Sequence, residues 1–580
     1  MLHGKADGEA VRIQRKVGRI SRAMEFPPVK KYNAMEVRHS TTLDDVDLYG
    51  GVASPTDEDT ALAPGGPLAL CSLEALGLVV QYSAIGLLYR VIEDIAAPIY
   101  SVYLHVDPTQ VQMYYVVVYF GWYFKVFFGM VSDCVPIFGF RRKSYMFIGW
   151  TITFVCTVVM ACMPIGPPYC GNPELCKVPL DSLDPADVAE YFDLAAPSRG
   201  LPFLVMSMVL SFGYVMTVCA SDALVVQYAR REPIETRGQT QCAVYAIRQF
   251  ASAIALSVTR FFLNGPSYQG TFSFEIPPNV VFVLLSVPSG IALVNTYFWI
   301  HEYRETGIPI RVYLQGLYEL ATKRVLWQIC LYTLLSELFS SFGTTAEGPV
   351  TYVWAKVTPL CDSVSFVVSC LLWGTTLVCI ARWGVNWNWR TTMIITTVMF
   401  IVIDALGMVM VVWDVERDEW LYSAMYLVNS IPGAVRFIMT FFSTVEIADM
   451  GNEGAVFGLI TTIYNVMDSI TPLWYSWVDS HFHVTPQDAD ADTTDVRWQV
   501  TYTYLISYGM RLFGLCFLVL LPPQKAAMQA LKRYGGSQPA IAMAVLGAAL
   551  VCLIVAVTSN LLSIFPSTNC LALAGGDGCP

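Results

Sequence analysis

Residues 108–145 read PTQVQMYYVVVYFGWYFKVFFGMVSDCVPIFGFRRKSY. The first part is an apolar run over 109–134, long enough as a helix to cross a hydrocarbon core about 30 Å thick, which takes roughly 20 residues. The run ends in a loop that holds Gly129, Asp133 and Gly139 and then the basic trio Arg141, Arg142 and Lys143. Glycines let helices and a turn approach closely. Asp133 falls at a helix end, from which it can pair with an arginine across the loop. Such a clamp would hold one access state and release in the other. The plainer alternative is a topology signal, in which the cations only need to face the cytosol.

The rest of the chain repeats the pattern. Of 580 residues, 55% are hydrophobic and 14% charged, and the mean hydropathy is +0.50; soluble chains carry about 25% charged residues. Apolar runs occupy 73–104, 109–134, 144–163, 201–228, 239–263 and 279–300, then 325–343, 361–383, 389–413, 420–445, 452–478 and 500–521. A further run covers 540–565. In lipid the backbone must satisfy its own polar groups, so runs of this length are helices; barrel strands would be alternating segments of about ten residues. The expected fold class is an all-α membrane protein built of two six-helix bundles, with an extra C-terminal span in which Ala540, Ala544 and Ala548 form a small face for close packing. The expected units are a disordered cytoplasmic tail over 1–68, bundles over 69–301 and 325–522, a central cytoplasmic loop over 302–324, a linker over 523–539, and the extra span with a short outside tail over 540–580.

Loop charges set an expected orientation. With the N-terminus in the cytoplasm, fifteen Lys and Arg fall in inside loops, among them Arg141, Arg230, Arg304, Arg382 and Lys525, against five outside. This is the positive-inside bias. It places Cys170 and Cys176 outside, where they can form a disulfide or remain two thiols. Cys570 and Cys579 would also lie outside. The net charge of −11 is carried largely by acidic stretches outside the runs, and nothing suggests a nucleic-acid partner.

Enzymatic readings find little support. The six His form no His-Glu-x-x-His pattern, no Cys pairs have zinc spacing, and no Gly-x-x-x-x-Gly-Lys-Ser/Thr loop is present to drive transport with ATP. No cofactor or metal is expected. Ionisable residues inside the spans are another matter, because they are expensive in lipid and are functional candidates by default. They include Arg90, Glu93 and Asp94, which can share one helix face, then Lys125, Asp222, Arg248, Arg260, Glu337, Asp404, Arg436 and Arg511. Some of these can be internal pairs: Arg90 with Glu93, and Lys125 with Asp222. Pro98, Pro288, Pro432 and Pro472 lie within spans and can kink them.

Gly-x-x-x-Asp followed by Gly-x-Arg-Arg resembles the signature loop of the major facilitator superfamily. The fuller string resembles the folate-biopterin transporters, through Trp122, Lys125, Gly129, Ser132, Asp133, Pro136, Gly139, Arg141, Arg142 and Tyr145. The chain departs from that pattern at Gly121 and Val126, where the family often has Pro, and at Phe140. A second matching stretch, Asp222 to Arg230, carries Gln227 where the family has Glu, and a third involves Glu453, Gly454 and Asn465. The long N-terminal tail and extra span look like protozoan members.

The resemblance implies a multi-pass transporter of the major facilitator fold. Its substrate would be folate, a pteridine such as biopterin, or another polar metabolite such as S-adenosylmethionine, moved by proton symport and most readily at the plasma membrane. A membrane receptor or scaffold is the reading from another class. For a pteridine, one carboxylate among Glu93, Asp94 and Asp222 would take the ring's adjacent N–H donors. Tyr89 and Tyr245 would stack on the ring, and Arg248 or Arg436 would take a tail carboxylate. Gly129, Asp133, Gly139, Arg141 and Arg142 would serve gating. Arg90, Lys125, Glu337 and Asp404 would serve ion pairing or coupling.

Overall fold

The computed structural model describes residues 61–69, 72–172, 174–178, 182–305, 309–564, 567–568 and 571. Most of the expected N-terminal tail, together with Cys570 and Cys579, lies outside these residues. Among the described residues the chain is helical, with isolated bridges and no strand.

The first six spans are α1 Leu73–Asp94, a second span in two pieces, α2 Pro108–Tyr123 and α3 Lys125–Cys134, then α4 Lys143–Cys162, α5 Gly200–Arg230, α6 Gln239–Phe262 and α7 Pro278–Phe298. Ser72 starts α1 by accepting a hydrogen bond from the Ala75 amide at 3.1 Å, an N-cap that satisfies an otherwise orphan donor. Beyond Asp94, α1 continues as a π-helical stretch, Ala96–Tyr103, that contains Pro98. α8, Ile310–Thr322, is amphipathic and joins the halves where the sequence suggested only a loop. The second six are α9 Arg324–Ser340, α10 Pro359–Cys379, α11 Trp389–Val412, a fourth span broken into α12 Glu419–Val428 and α13 Ser430–Ile447, then α14 Glu453–Asp479 and α15 Thr494–Gly514. Thr358 and Asn388 cap α10 and α11 as Ser72 caps α1. The short helix α16, Lys525–Tyr534, follows, and α17, Pro539–Ile564, closes the chain.

Eleven of these helices are long and apolar enough to cross a membrane. The two remaining expected spans are α9, with 17 residues, and α14, with 27 residues that include Glu453, Asp468 and Asp479. Both pack inside the bundle rather than at its rim. α1 packs on α6, and α4 packs between α5 and α7. The halves meet along two seams, α6 against α10 and α3 against α14. Cys170 and Cys176 are joined, with their Cα atoms 5.8 Å apart.

α17 packs against α2, α14, α9 and α8, but not through the face the sequence nominated. Ala540, Ala544 and Ala548 are exposed. The packed side is Ala542, Val545, Ala556 and Ser559. The reason is competition between two small-residue stripes. The second one also carries Asn560, whose amide gains a partner, the Tyr123 hydroxyl at 2.7 Å, by turning inward.

Candidate functional site

Charged side chains gather at two levels of the bundle. At the end that carries the loop 135–142, Arg142 is fully buried and pairs with Asp133. It also reaches Glu453 of the second half at 3.4 Å. Glu453 in turn takes Arg230 at 3.3 Å. Asp133 accepts the amides of Gly454 and Ala455 at 3.3 and 2.7 Å, so it caps the first turn of α14 from across the seam. A Cβ on Gly129 would collide with the Gly454 carbonyl oxygen, which is why the halves can touch here. Gly139 has φ +84°, a conformation open to glycine, and it turns the chain into the Arg141–Arg142 pair. Arg141 pairs with Glu305. Glu302 accepts the backbone amides of Arg141, Arg142 and Lys143 at 2.8 to 3.0 Å and so places an anion at the N-terminus of α4. Arg237 and Glu446 form a further pair between the halves at 3.0 Å.

Deeper in the first half, Lys125 and Asp222 form a buried pair at 2.9 Å. Asp222 also accepts Tyr82 at 2.7 Å and Tyr245 at 3.2 Å, and the Lys125 amine lies over Trp122 and Phe457, 5.2 Å from each ring centre. Arg90 pairs with Glu93 at 3.0 Å, and Tyr119 donates to the same carboxylate. Asp94 turns away from that pair and holds Arg260 at 2.9 Å, and Arg260 reaches Asp362 of the second half at 2.7 Å. The three charges of α1 therefore serve two different contacts rather than one. Asp404 accepts Tyr508 at 2.8 Å within the second half.

Against this background a few charges stand without a partner. The Arg248 guanidinium lies over three rings, 4.9 Å from Tyr245, 5.7 Å from Phe437 and 5.8 Å from Tyr89. Its Nε is buried and donates to nothing, and no ion pair forms on it among the described residues. Buried polar groups normally find partners. Arg436 lies within electrostatic reach of Glu337, whose carboxylate is buried and accepts only Ser341, at 3.4 Å. Asp468 is exposed although it sits mid-span in α14. It lies within electrostatic reach of Tyr89 and Glu93 of the first half and of Glu337 and Tyr464 of the second. It accepts no hydrogen bond and forms no ion pair among the described residues.

Asp468 was legible as an acid inside the run 452–478 and is absent from the nominated residues. Asp362, in the run 361–383, was legible in the same way, whereas only the fold brings it to Arg260 and the phenol of Tyr119 to Glu93. A cavity of about 500 Å³ lies between α11 and α13, is lined by Trp387, Ile395 and Pro432 among others, and bears no ionisable group. A second, about 360 Å³, is lined by Glu347, Asp362, Tyr422 and Tyr426.

A model of the BT1 family, the folate-biopterin transporters, matches residues 95–169, a stretch that contains the Gly129–Arg142 loop. The resemblance read from that loop holds. A comparison with curated proteins returns no match. Among solved structures, a D-xylose-proton symporter is 12% identical, with 77% of this chain and 97% of that one covered at a TM-score of 0.50. A major facilitator superfamily proton:xylose symporter bound to 6-bromo-6-deoxy-D-glucose is 13% identical over 80% and 98%, at 0.49. The human organic anion transporter MFSD10 is 12% identical over 77% and 98%, at 0.47. The fold is that of the major facilitator superfamily, and with the family match it supports a membrane transporter.

Proposed function

We propose that the chain is a secondary transporter that moves folate or a pteridine such as biopterin by alternating access, coupled to protons. The observation that carries this reading is Arg248, an uncompensated cation held among three aromatic rings next to the seam between the halves. A guanidinium in that setting is built for a planar carboxylate, and the rings around it offer stacking faces to a flat heterocycle. Tyr89 and Tyr245 supply two of these faces. Among the nominated acids, Asp222 is already saturated by Lys125, Tyr82 and Tyr245, so its role in this reading is to hold α5 to α3. Glu337, buried without a close cation, is the coupling candidate, with Arg436 as the charge that responds when it loses its proton.

In this reading the Arg142 end faces the cytoplasm, in keeping with the loop charges, and the chain resides in the plasma membrane with its N-terminus inside. The Asp133–Arg142–Glu453–Arg230 cluster is then the inner gate, and it is closed in this structure. Arg260, between Asp94 and Asp362, ties the halves nearer the other end.

The test is uptake of labelled folate, biopterin and S-adenosylmethionine by cells expressing the chain, with a protonophore arm. Pteridine or folate uptake that collapses with the protonophore is expected. Uptake of S-adenosylmethionine alone would overturn the substrate. High-affinity binding with no counterflow of any solute would make the chain a receptor instead.

A further inference from the structure

We infer that Asp468 is the carboxylate that reads the hydrogen-bond donor edge of the solute's ring; this rests on the pteridine reading above. The argument is one of exclusion followed by placement. Each carboxylate of the first half near the centre is occupied. Asp222 takes three donors, Glu93 takes Arg90 and Tyr119, and Asp94 takes Arg260 and Thr259. A ring with adjacent N–H groups would have to displace one of these partners and leave a buried cation or phenol unpaired, at a large cost. Glu337 is available but buried. Asp468 is exposed in the middle of a span and has no hydrogen-bond or ion-pair partner among the described residues.

Placement makes the same choice. Arg248 lies over the Tyr89 ring at 5.8 Å, and Asp468 of the opposite half is within electrostatic reach of the same side chain. A flat solute stacked against Tyr89 would point a donor edge toward Asp468 and an anionic tail toward Arg248. Asp468 belongs to α14 of the second half, whereas Arg248 belongs to α6 of the first. One molecule carrying both groups therefore bridges the halves, and its affinity contributes to drawing them together. A ring without a tail engages Asp468 only, and a tail without a ring engages Arg248 only.

Three ligands separate these roles: folate, with ring and tail; biopterin, with the ring alone; and p-aminobenzoylglutamate, with the tail alone. Equilibrium binding to purified protein avoids any dependence on turnover. Asp468→Asn is nearly isosteric and leaves no orphaned partner, so the protein should remain monodisperse. It should weaken folate and biopterin by about 10-fold or more, the loss of one charge-assisted bidentate contact, and leave p-aminobenzoylglutamate unchanged. Arg248→Gln should weaken folate and p-aminobenzoylglutamate and spare biopterin. Asp468→Glu keeps the charge and should retain biopterin within about 3-fold, which separates recognition from a folding role.

Unchanged biopterin affinity in Asp468→Asn would overturn the inference while leaving the pteridine reading intact. Equal losses for all three ligands would also overturn it, as the mark of a general structural effect. If the wild-type protein binds neither folate nor biopterin, the pteridine reading fails first and this inference falls with it.

Discussion

Asp222 shows how one residue's partners decide its role. Its carboxylate is 2% exposed and holds Lys125, which is 3% exposed, so neither charge has water to fall back on. Removing one member of such a pair typically costs about 3–5 kcal/mol, because the other is left buried and uncompensated. Asp222→Asn should therefore lower the thermal midpoint in detergent and reduce the yield of folded protein. Lys125→Met combined with Asp222→Asn should recover much of the loss, as read by a melting curve of the double variant beside the two singles. Recovery of the midpoint without recovery of transport would assign the pair a part in the transport cycle as well. At Arg248 the expected loss is smaller. Its guanidinium forms no ion pair among the described residues, so Arg248→Gln strands no buried counter-charge and gives up only ring contacts; the midpoint should fall by about 0.5–2 kcal/mol, less than for Asp222→Asn in the same melting assay. The sequence offered both residues as equal candidates. Period and spacing say that a charge lies in a span, but they do not say which other span will bring its counter-ion.

Elements show the same division. The apolar runs located nearly every helix within a few residues, because roughly 20 apolar residues have few other uses. What the runs could not reveal were helices whose apolar stripe is narrow, such as α8 and α16. α16 lies against the end of α13, where Lys532 donates to the carbonyls of Glu446 and Ala448 at 3.2 Å each, in the manner of a C-terminal cap. On the same helix the Lys525 amine is buried and donates to the Ile234 carbonyl at 2.9 Å and to Asn386 at 3.2 Å, which links the two halves. Burial pushes this amine down to about 8 from an ordinary 10.5. Between those values the unfolded chain holds a proton that the folded chain has released, so stability rises with pH across that window. Lys525→Met lacks this dependence. Raising the pH from 7 to 10 should move the wild-type midpoint upward relative to the variant, by on the order of 3 kcal/mol at most; parallel curves would refute the burial account. α17 makes a comparable link near its end, where Asn560 donates to Tyr123 at 2.7 Å and Tyr123 meets Ser469. Tyr123 and Ser469 lie on opposite halves, so α17 is braced against both.

At the scale of the molecule, the halves are in contact at the Arg142 end, which the proposed transport cycle would use as a closed inner gate. That contact depends on close backbone approach as much as on charge. Arg142, Asp133 and Glu453 can only meet because Gly129 and Gly454 allow α3 and α14 to touch. The glycine and the charges were visible in the loop string itself, whereas the receiving residue, Glu453, lies more than three hundred positions away and could be matched to them only by the fold. A methyl group at position 129 would meet the Gly454 carbonyl, so Gly129→Ala should hold the two helices apart and leave the ion cluster unable to close. Phe138 and Met450 are 87% and 75% exposed on the two sides of this seam and suit paired spin labels, once the exposed Cys162, Cys379 and Cys516 have been replaced. The labelled wild type should give a short distance between them as its main population. Gly129→Ala should shift weight toward a longer one, and Glu453→Gln should do so to a smaller degree, because Arg142 keeps Asp133 while Arg230 loses its partner. A distance distribution unmoved by Gly129→Ala would mean that the seam accommodates the methyl group by local adjustment. The gate would then be held by its charges alone, and Glu453→Gln should have the larger effect.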